Sequence, residues 1–414
     1  MFKSLDVVFL FPSTLDTRPV RLKAAVAENQ PLRGKRIKQN RMSFTKSFDE
    51  FDSRLREFIA HPDPDDRGFN QLALELFSLQ YDHVEPYRRL CEASRISPAQ
   101  LARWTQIPPV PTAAFKEFDL SSIPSAERTT VFHSSGTRGQ QPSRHFHSAE
   151  SLSLYESSLL PWFRKHILPD RDRFQLISLT PPPGLAPRSS LVHMLGAVQR
   201  ESGSAQSRFT GTIDATAAWS LDLGATRAAF RSAIDREQPV AVLGTAFSFV
   251  HLLSWLALSE VCLQLPPNSS AMETGGYKGR SRQLPKFELH ASITRHLAIP
   301  ASRIVSEYGM SELSSQAYDH VIGADTPSVQ PFNPSTLQRI FRFPPWSRAR
   351  IVSPETGNEV AEGETGLIRV YDLANVRSVM AVQTEDLGVR RGDGFELIGR
   401  AAQAEPRGCS LMSL

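Results

Sequence analysis

Between Glu127 and Val305, short apolar runs alternate with stretches of helical periodicity, and this alternation limits the possible folds more than any other feature of the chain. The runs are Thr129–Phe132, Phe174–Leu179, Val240–Leu243 and Arg303–Val305. The helical stretches are Ala149–His166, Ala225–Arg236, Ala246–Leu258 and Phe287–Leu297. Short apolar runs suit strands buried on both faces, and the helices between them supply the crossovers that parallel strands need. The pattern predicts an α/β fold built on a mainly parallel sheet with helices on both faces. Beyond Arg339 the helical pattern stops, and Ala349–Ser353, Gly366–Tyr371, Ser378–Gln383 and Phe395–Ile398 read as strands of a small β section.

Ahead of the alternation lies a helical part. Phe48, Phe51, Leu55 and Phe58 recur at three- and four-residue spacing, as one buried helix face requires. The segment His61–Asp66 breaks that helix. A second is predicted from Gly68 to Tyr81 with Leu72, Leu76 and Leu79 inward, and Pro86 ends it or opens a short third helix containing Tyr87 and Leu90. The proline-rich Ile107–Phe118 connects to the sheet region. The expected division is a disordered basic leader at 1–42, a helical part at 43–125, an α/β core at 126–400 and a mobile tail at 401–414.

Charge supports that division. Residues 1–42 hold nine basic and three acidic side chains, a net +6 against +4 for the whole chain, which leaves −2 for residues 43–414. The body is near neutral, so no nucleic-acid footprint is expected on it; RGKRIK in the leader is the one segment suited to RNA or an acidic surface. Met42, followed by a clean helical pattern, is a candidate start. Hydrophobic residues at 40% and charged residues at 22% exclude wholesale disorder. Three cysteines, Cys91, Cys262 and Cys409, are too few and too scattered for a disulfide framework or a cysteine zinc site. Cys91 and Cys262 sit in apolar surroundings and read as inert core. The longest apolar runs are too short for a membrane span, and the start lacks a small-residue cleavage site, so a cytoplasmic protein is expected.

Four segments carry chemistry. His133–Arg144, HSSGTRGQQPSR, follows a strand and precedes a helix near Ser148. Its glycines let backbone N–H groups converge, and its hydroxyls and arginines add donors, as a polyphosphate cradle needs. The spacing is not that of a Walker loop. Ser306–Glu312, SEYGMSE, follows the strand Arg303–Val305 and so lies where open α/β sheets bind ligands. Tyr308 offers a flat face, and Glu312 a hard oxygen for Mg²⁺ or a helix-capping charge. Thr384–Gly388, TEDLG, then Asp393-Gly394 and Gly399-Arg400, form the third. Asp386, just beyond a strand, suits ribose hydroxyls or a turn cap. Glu273–Arg280, ETGGYKGR, is a glycine-rich loop fit for close approach to a ligand or for a flexible surface.

In this order and at these distances, SSGTRG, SEYGMSE, TEDLG and GR resemble the adenylate-forming superfamily of acyl ligases and luciferases. METGGYKGRSR, LFSLQYDHVEPYRRLCE and the ending AEPRGCSL are similar to the LuxE-type acyl-protein synthetases within it, from about residue 45 onward. The resemblance implies ATP and Mg²⁺. It implies that Ser134, Ser135, Gly136, Thr137 and Gly139 cradle the ATP phosphates and that Tyr308 stacks on adenine, with Gly275 and Gly276 along its edge. Glu312 would hold Mg²⁺, Asp386 the ribose hydroxyls, and Arg400 would lie at the ribose or the hinge. Arg138 and Arg144 depart from the usual threonine and lysine, and arginine grips phosphate bidentately.

Only 14 residues follow Arg400, so no C-terminal lid domain with its catalytic lysine is expected. Lys278, or failing it Arg144, is then the candidate cation at the reacting phosphate. The implied reaction is activation of a medium- or long-chain fatty acid to an acyl-adenylate, followed by transfer to a thiol and delivery to an acyl reductase partner. Cys409, on a pliable polar tail after Arg407 and Gly408, is the expected acceptor, as in LuxE-type enzymes whose acylated cysteine lies near the carboxyl terminus. A phenylacetate-type acyl-CoA ligase and a non-catalytic nucleotide-binding partner of a reductase are the alternatives. The apolar Gly244–Leu258 suits either an acyl tunnel wall or, more simply, core packing.

Overall fold

The computed structural model describes residues 47–63, 66–134, 141–169, 173–214, 218–275, 284–323 and 339–401. Helices α1 (Phe48–Ala60), α2 (Asp66–His83) and α3 (Glu85–Ala93) open this part of the chain. Ser47 caps α1 by accepting from the Glu50 N–H, and Asp49 and Glu50 in the first turn complement the helix dipole. Phe51, Leu55, Phe58 and Ile59 form its buried face; Leu72, Leu76 and Leu79 are buried on α2, and Pro86 opens α3. All three helices share one core with the C-terminal sheet, where Trp346, Tyr371, Met380 and Val382 meet them. Each such side chain, fully buried, contributes roughly 1.5–3 kcal/mol.

Strand β1 (Val110–Pro111) and the single-turn α4 (Ala114–Glu117) lead to β2 (Thr130–His133), which pairs antiparallel with β3 (Arg144–His147). Here the structure corrects the expectation: Thr129–Phe132 does not enter the parallel sheet, and the first glycine-rich segment closes a hairpin. The partner strand escapes sequence reading because it spells Arg-His-Phe-His, and the two histidines are buried as neutral rings. Burial pushes the His145 ring down to about 4, and burial, with His145 and His193 nearby, holds the His147 ring well below its ordinary value.

Ser148 then caps α5 (Ala149–Ile167) through a reciprocal bond with Ser151. There follow β4 (Gln175–Ser178), α6 (Ser190–Ser202), β5 (Arg208–Phe209), the hairpin β6 (Gly211–Ile213) and β7 (Trp219–Leu221), α7 (Leu223–Asp235), β8 (Val240–Thr245), α8 (Ala246–Leu258), β9 (Ser270–Thr274), α9 (Lys286–Leu297), β10 (Ile304–Tyr308) and β11 (Ala317–Tyr318). The main sheet has the order β11-β10-β9-β8-β4-β5, parallel except at β11. Alternation along the strands sorts their side chains. Ile177, Val240, Val242, Ala271 and Ile304 pack toward α7, α8 and α9, and Leu176, Ala241, Leu243, Met272 and Val305 toward α5 and α6. The sheet is therefore covered on both faces, as the apolar runs predict.

Two elements of this layer carry weak sequence signals. β9 reads Ser-Ala-Met-Glu-Thr yet is buried throughout, so Glu273 and Thr274 belong to a strand and not to a loop. α6 follows a proline-rich segment that masks its start. Phe249, Val250, Leu252, Leu253 and Leu256 of α8 are core residues packed with α7 and α9.

The closing section is a second sheet, with β12 (Ser347–Val352), β13 (Thr365–Asp372) and β14 (Ala381–Arg391) antiparallel. The long β14 pairs along its other edge with β1 at Val382 and then with β15 (Gly394–Arg400) from Asp386 onward. Asp386 thus lies inside a strand rather than beyond one. The hairpin turn is Gly392-Asp393, one position earlier than the Asp393-Gly394 pattern suggests, with Gly392 at φ +57°. No described helix is long and apolar enough to cross a membrane.

Candidate active site

The chain reverses its direction across the sheet after β5 and returns to place β8 beside β4, which creates a switch point where carboxyl ends of strands diverge. β9 ends in Thr274 and then Gly275 at φ +74°, a conformation suited to glycine. β10 ends in Glu307 and Tyr308, and the turn after it delivers Glu312. No helix begins there, so Glu312 is not a cap.

Glu312 is buried, and its two oxygens accept from Ser143 Oγ at 2.5 Å and Ser311 Oγ at 3.0 Å. Ser143 in turn donates its N–H to Ser134 Oγ at 3.0 Å, so the base of the first glycine-rich segment is pinned beside this carboxylate. His145 Nδ1 donates to the Ser311 carbonyl at 2.9 Å, which fixes the tautomer of the neutral ring. The turn is held from below by Asp372, which accepts from the N–H groups of Ser314 and Ser315 and from Ser315 Oγ, all within 2.9 Å. Burial raises the Asp372 carboxyl, against the bonds that lower it. Asn375 completes the clamp, donating to the Glu312 carbonyl at 2.8 Å.

The third segment joins from the second sheet. Tyr308 Oη donates to Asp386 Oδ2 at 2.9 Å, and Arg400, the cross-strand partner of Asp386, holds its Nε 3.7 Å from Oδ1 while remaining exposed. The Tyr308 ring lies among Phe341, Phe343 and Phe395. Burial raises its phenol well above the usual range, with Asp386 adding to the rise. The fourth segment meets the second directly: Thr274 Oγ1 donates to Glu307 Oε2 across paired strands.

Of the expected site residues, Ser134, Gly275, Tyr308, Glu312, Asp386 and Arg400 come together around the ends of β9 and β10 and the middle of β14. Arg144 does not join them. It points to the other face of β3 from Ser143 and His145, where its Nη2 lies 3.1 Å from Asp119, an acid that Arg128 also holds at 2.7 Å. Ser135, Gly136, Thr137, Gly139, Gly276, Lys278 and Cys409 lie outside the described residues. Cys91 is buried, and burial pushes its thiol up to about 12, but Cys262 is exposed after α8, contrary to the core assignment. Sequence reading also passes over His145, Asp372, Asn375 and Glu307. For Asp372 and Asn375 a signal exists, a polar pair directly after an apolar strand. Glu307 carries none, because a buried acid at a strand end looks like a surface one.

The donor set fits a magnesium nucleotide. Mg²⁺ is commonly held by one or two carboxylates with substrate phosphates supplying the remainder. Glu312 offers two carboxylate oxygens met by hydroxyls only, and among the described residues no ion pair uses it and no cluster of three metal-binding side chains forms. Two surface clefts of about 390 and 530 Å³, beside α1, Glu150 and Arg377, contain none of the motif residues.

Known proteins resemble the chain in sequence and in fold. A family model described as acyl-protein synthetase, LuxE, matches residues 45–413. The chain is 22% identical over 360 residues to the long-chain-fatty-acid–luciferin-component ligase of Aliivibrio fischeri, which spans 83% of this chain and 86% of that protein. Among solved structures it superposes on an open conformation of 2-hydroxyisobutyryl-CoA ligase with 2-HIB-AMP and CoA, at TM-score 0.57 and 12% identity over 81% of this chain and 71% of that one. The same ligase in its thioesterification state gives 0.55 at 13% identity, over 83% and 70%. At such identities the structural likeness shows a shared α/β fold.

Proposed function

The chain belongs to the LuxE family of acyl-protein synthetases, and on that premise we propose that it activates a medium- or long-chain fatty acid with ATP and passes the acyl group to its own Cys409. One observation supports the adenylating half most directly: four segments scattered over the sequence meet at one set of strand ends, through the bonds Ser143–Glu312, Thr274–Glu307 and Tyr308–Asp386.

In the first step a carboxylate oxygen of the acid bonds to the α-phosphorus, the α–β phosphoanhydride breaks, and pyrophosphate leaves. In the second, the Cys409 thiolate attacks the acyl carbonyl, AMP leaves, and a thioester forms. Mg²⁺ bound at Glu312 would neutralise phosphate charge. The protein's own part is placement: Ser134, Ser135, Gly136, Thr137 and Gly139 about the phosphates, Tyr308 against the adenine, Asp386 and Arg400 at the ribose. Lys278 is the proposed cation at the reacting phosphate. The acylated tail then presents its thioester to an acyl reductase.

The test is ATP–pyrophosphate exchange against a panel of carboxylic acids. Exchange supported by medium- and long-chain fatty acids, with a hydroxylamine-sensitive label on the protein, is the expected result. Retained ATP binding with no exchange for any acid would place the chain among non-catalytic nucleotide binders. Exchange with acyl-CoA formed and no label on the protein would make it a CoA ligase.

A further inference from the structure

The sheet face that packs on α5 and α6 is apolar along most of its length and turns polar at the carboxyl ends of its strands. On β9 the order is Met272 then Thr274, and on β10 Val305 then Glu307, with Met272 and Val305 in the core shared with α5 and α6. Glu307 is buried, and its partners are Thr274 across the parallel pair and Tyr318 across the antiparallel one. The Tyr318 hydroxyl is buried and makes no hydrogen bond. Gln316 Nε2 donates to the fully buried Tyr155 Oη at 3.3 Å beside them. Glu307 Oε1 fills the space a side chain on Gly309 would need, since a Cβ there would come within 2.2 Å of it. The carboxyl is thus packed against the turn that presents Glu312.

No cation pairs directly with Glu307 among the described residues, and a buried lone carboxylate is costly. We propose that Glu307 carries a proton and uses it to receive the substrate carboxylate, one oxygen of the acid accepting that proton's hydrogen bond while the other faces the α-phosphate. The inference rests on the acid-activating reading above. It adds a substrate-binding residue that reads the substrate's charge: an anionic acid is accepted while Glu307 is neutral and repelled once Glu307 ionises, as two carboxylates sharing one site behave.

The surroundings agree. Burial pushes the Glu307 carboxyl up to about 7; the Thr274 hydroxyl opposes the rise, Glu273 on the other face of β9 adds to it, and Lys286 at the start of α9 opposes it. Tyr155 from α5 and Tyr318 from β11 complete the titratable neighbours, and both are held neutral because burial raises their phenols.

The experiment is acid-dependent pyrophosphate exchange by the full chain and by Glu307→Gln, from pH 6 to 9, at varied dodecanoate and at varied ATP. For the parent protein the KM for dodecanoate should climb above pH 7, approaching about tenfold per pH unit, while the KM for ATP does not follow it. Glu307→Gln, which keeps an N–H donor but cannot ionise, should hold the KM for dodecanoate level over the same range. An identical climb in both proteins, or a level KM in the parent, overturns the assignment. Glu307→Ala at pH 6.5 should raise that KM about tenfold with ATP affinity retained; an unchanged KM also overturns it. If the parent shows no exchange with dodecanoate or any other acid, the acid-activating reading itself fails and takes this inference with it.

Discussion

Glu312, in the turn after β10, and Glu273, near the end of β9, are both buried carboxylates, yet their partners give them different tasks. Glu312 meets only hydroxyls, from Ser143 and Ser311, so its charge is available to a cation. Glu312→Gln should lower acid-dependent pyrophosphate exchange by at least about a hundredfold while the circular dichroism spectrum and melting temperature stay close to the parent values. Normal exchange in that variant would remove Glu312 from the site. Glu273 is neutralised internally, by Lys286 at 3.1 Å, His290 at 3.3 Å and Ser306 Oγ at 2.5 Å. Burial alone would raise its carboxyl, but Lys286 and the bonds from His290 and Ser306 win and hold it at about 2. A carboxyl depressed in the folded state stabilises the fold above its unfolded value and loses that contribution as pH falls toward the folded value. Between pH 5 and pH 3 the parent protein should therefore lose stability that Glu273→Gln does not, up to roughly 2 kcal/mol. Thermal melts of both proteins across that window measure it, and parallel curves would refute it. At this scale the sequence exposes residue types well and partners poorly: Glu312 and Tyr308 stand out in SEYGMSE, but nothing local tells that Glu273, Glu307 and Glu312 have three different surroundings.

The alternating apolar runs are the most legible elements because each keeps two or more consecutive apolar residues in the core, whatever polar residues flank them. β4, β8 and β10, with α5, α7, α8 and α9, fall within a few residues of their expected places. Legibility fails where a polar residue is buried by a partner distant in sequence. β3 holds two neutral histidines, β9 holds Glu273, and neither reads as a strand for that reason. The turn from Ser311 to Ser315 is a third case, since its order comes from Asp372 and Asn375 about 60 residues later. Asp372→Ala would leave the N–H groups of Ser314, Ser315 and Ala374 without their acceptor. A loss of roughly 2–4 kcal/mol in urea unfolding is expected, together with weakened pyrophosphate exchange, because the turn positions Glu312. A stable but inactive variant would separate the clamp from the fold; a stable and active one would show that the turn holds itself.

For the molecule as a whole, the N-terminal helices and the C-terminal sheet share one core, so the two ends of the described chain pack together beyond the parallel-sheet part. The family match begins at residue 45, and removing residues 1–41 should leave acid activation intact; insoluble protein from that deletion would show that the leader is needed for folding. The last expectation concerns the acyl acceptor. Three thiols compete for that role, and their placement orders them. Cys91 is buried with its thiol raised to about 12, so it is neither reachable nor nucleophilic. Cys262 is exposed, but it lies where α9 brings the chain back to the amino ends of the strands, as the Leu263 N–H bond to the His296 carbonyl shows. The adenylate would form at the opposite, carboxyl ends, beside Tyr308 and Glu312. Cys409 is nine residues past Arg400, whose side chain lies at Asp386, on the rim of that same site. A tether of this length, at about 3.3–3.6 Å per residue when extended, reaches up to about 30 Å from the rim. It would hold the thiol at high effective concentration there. Cys409→Ser should therefore retain fatty-acid-dependent pyrophosphate exchange and lose the hydroxylamine-sensitive label, whereas Cys262→Ser should keep both. Label lost from Cys262→Ser and kept by Cys409→Ser would reverse the order and require the acyl group to leave the site by another route.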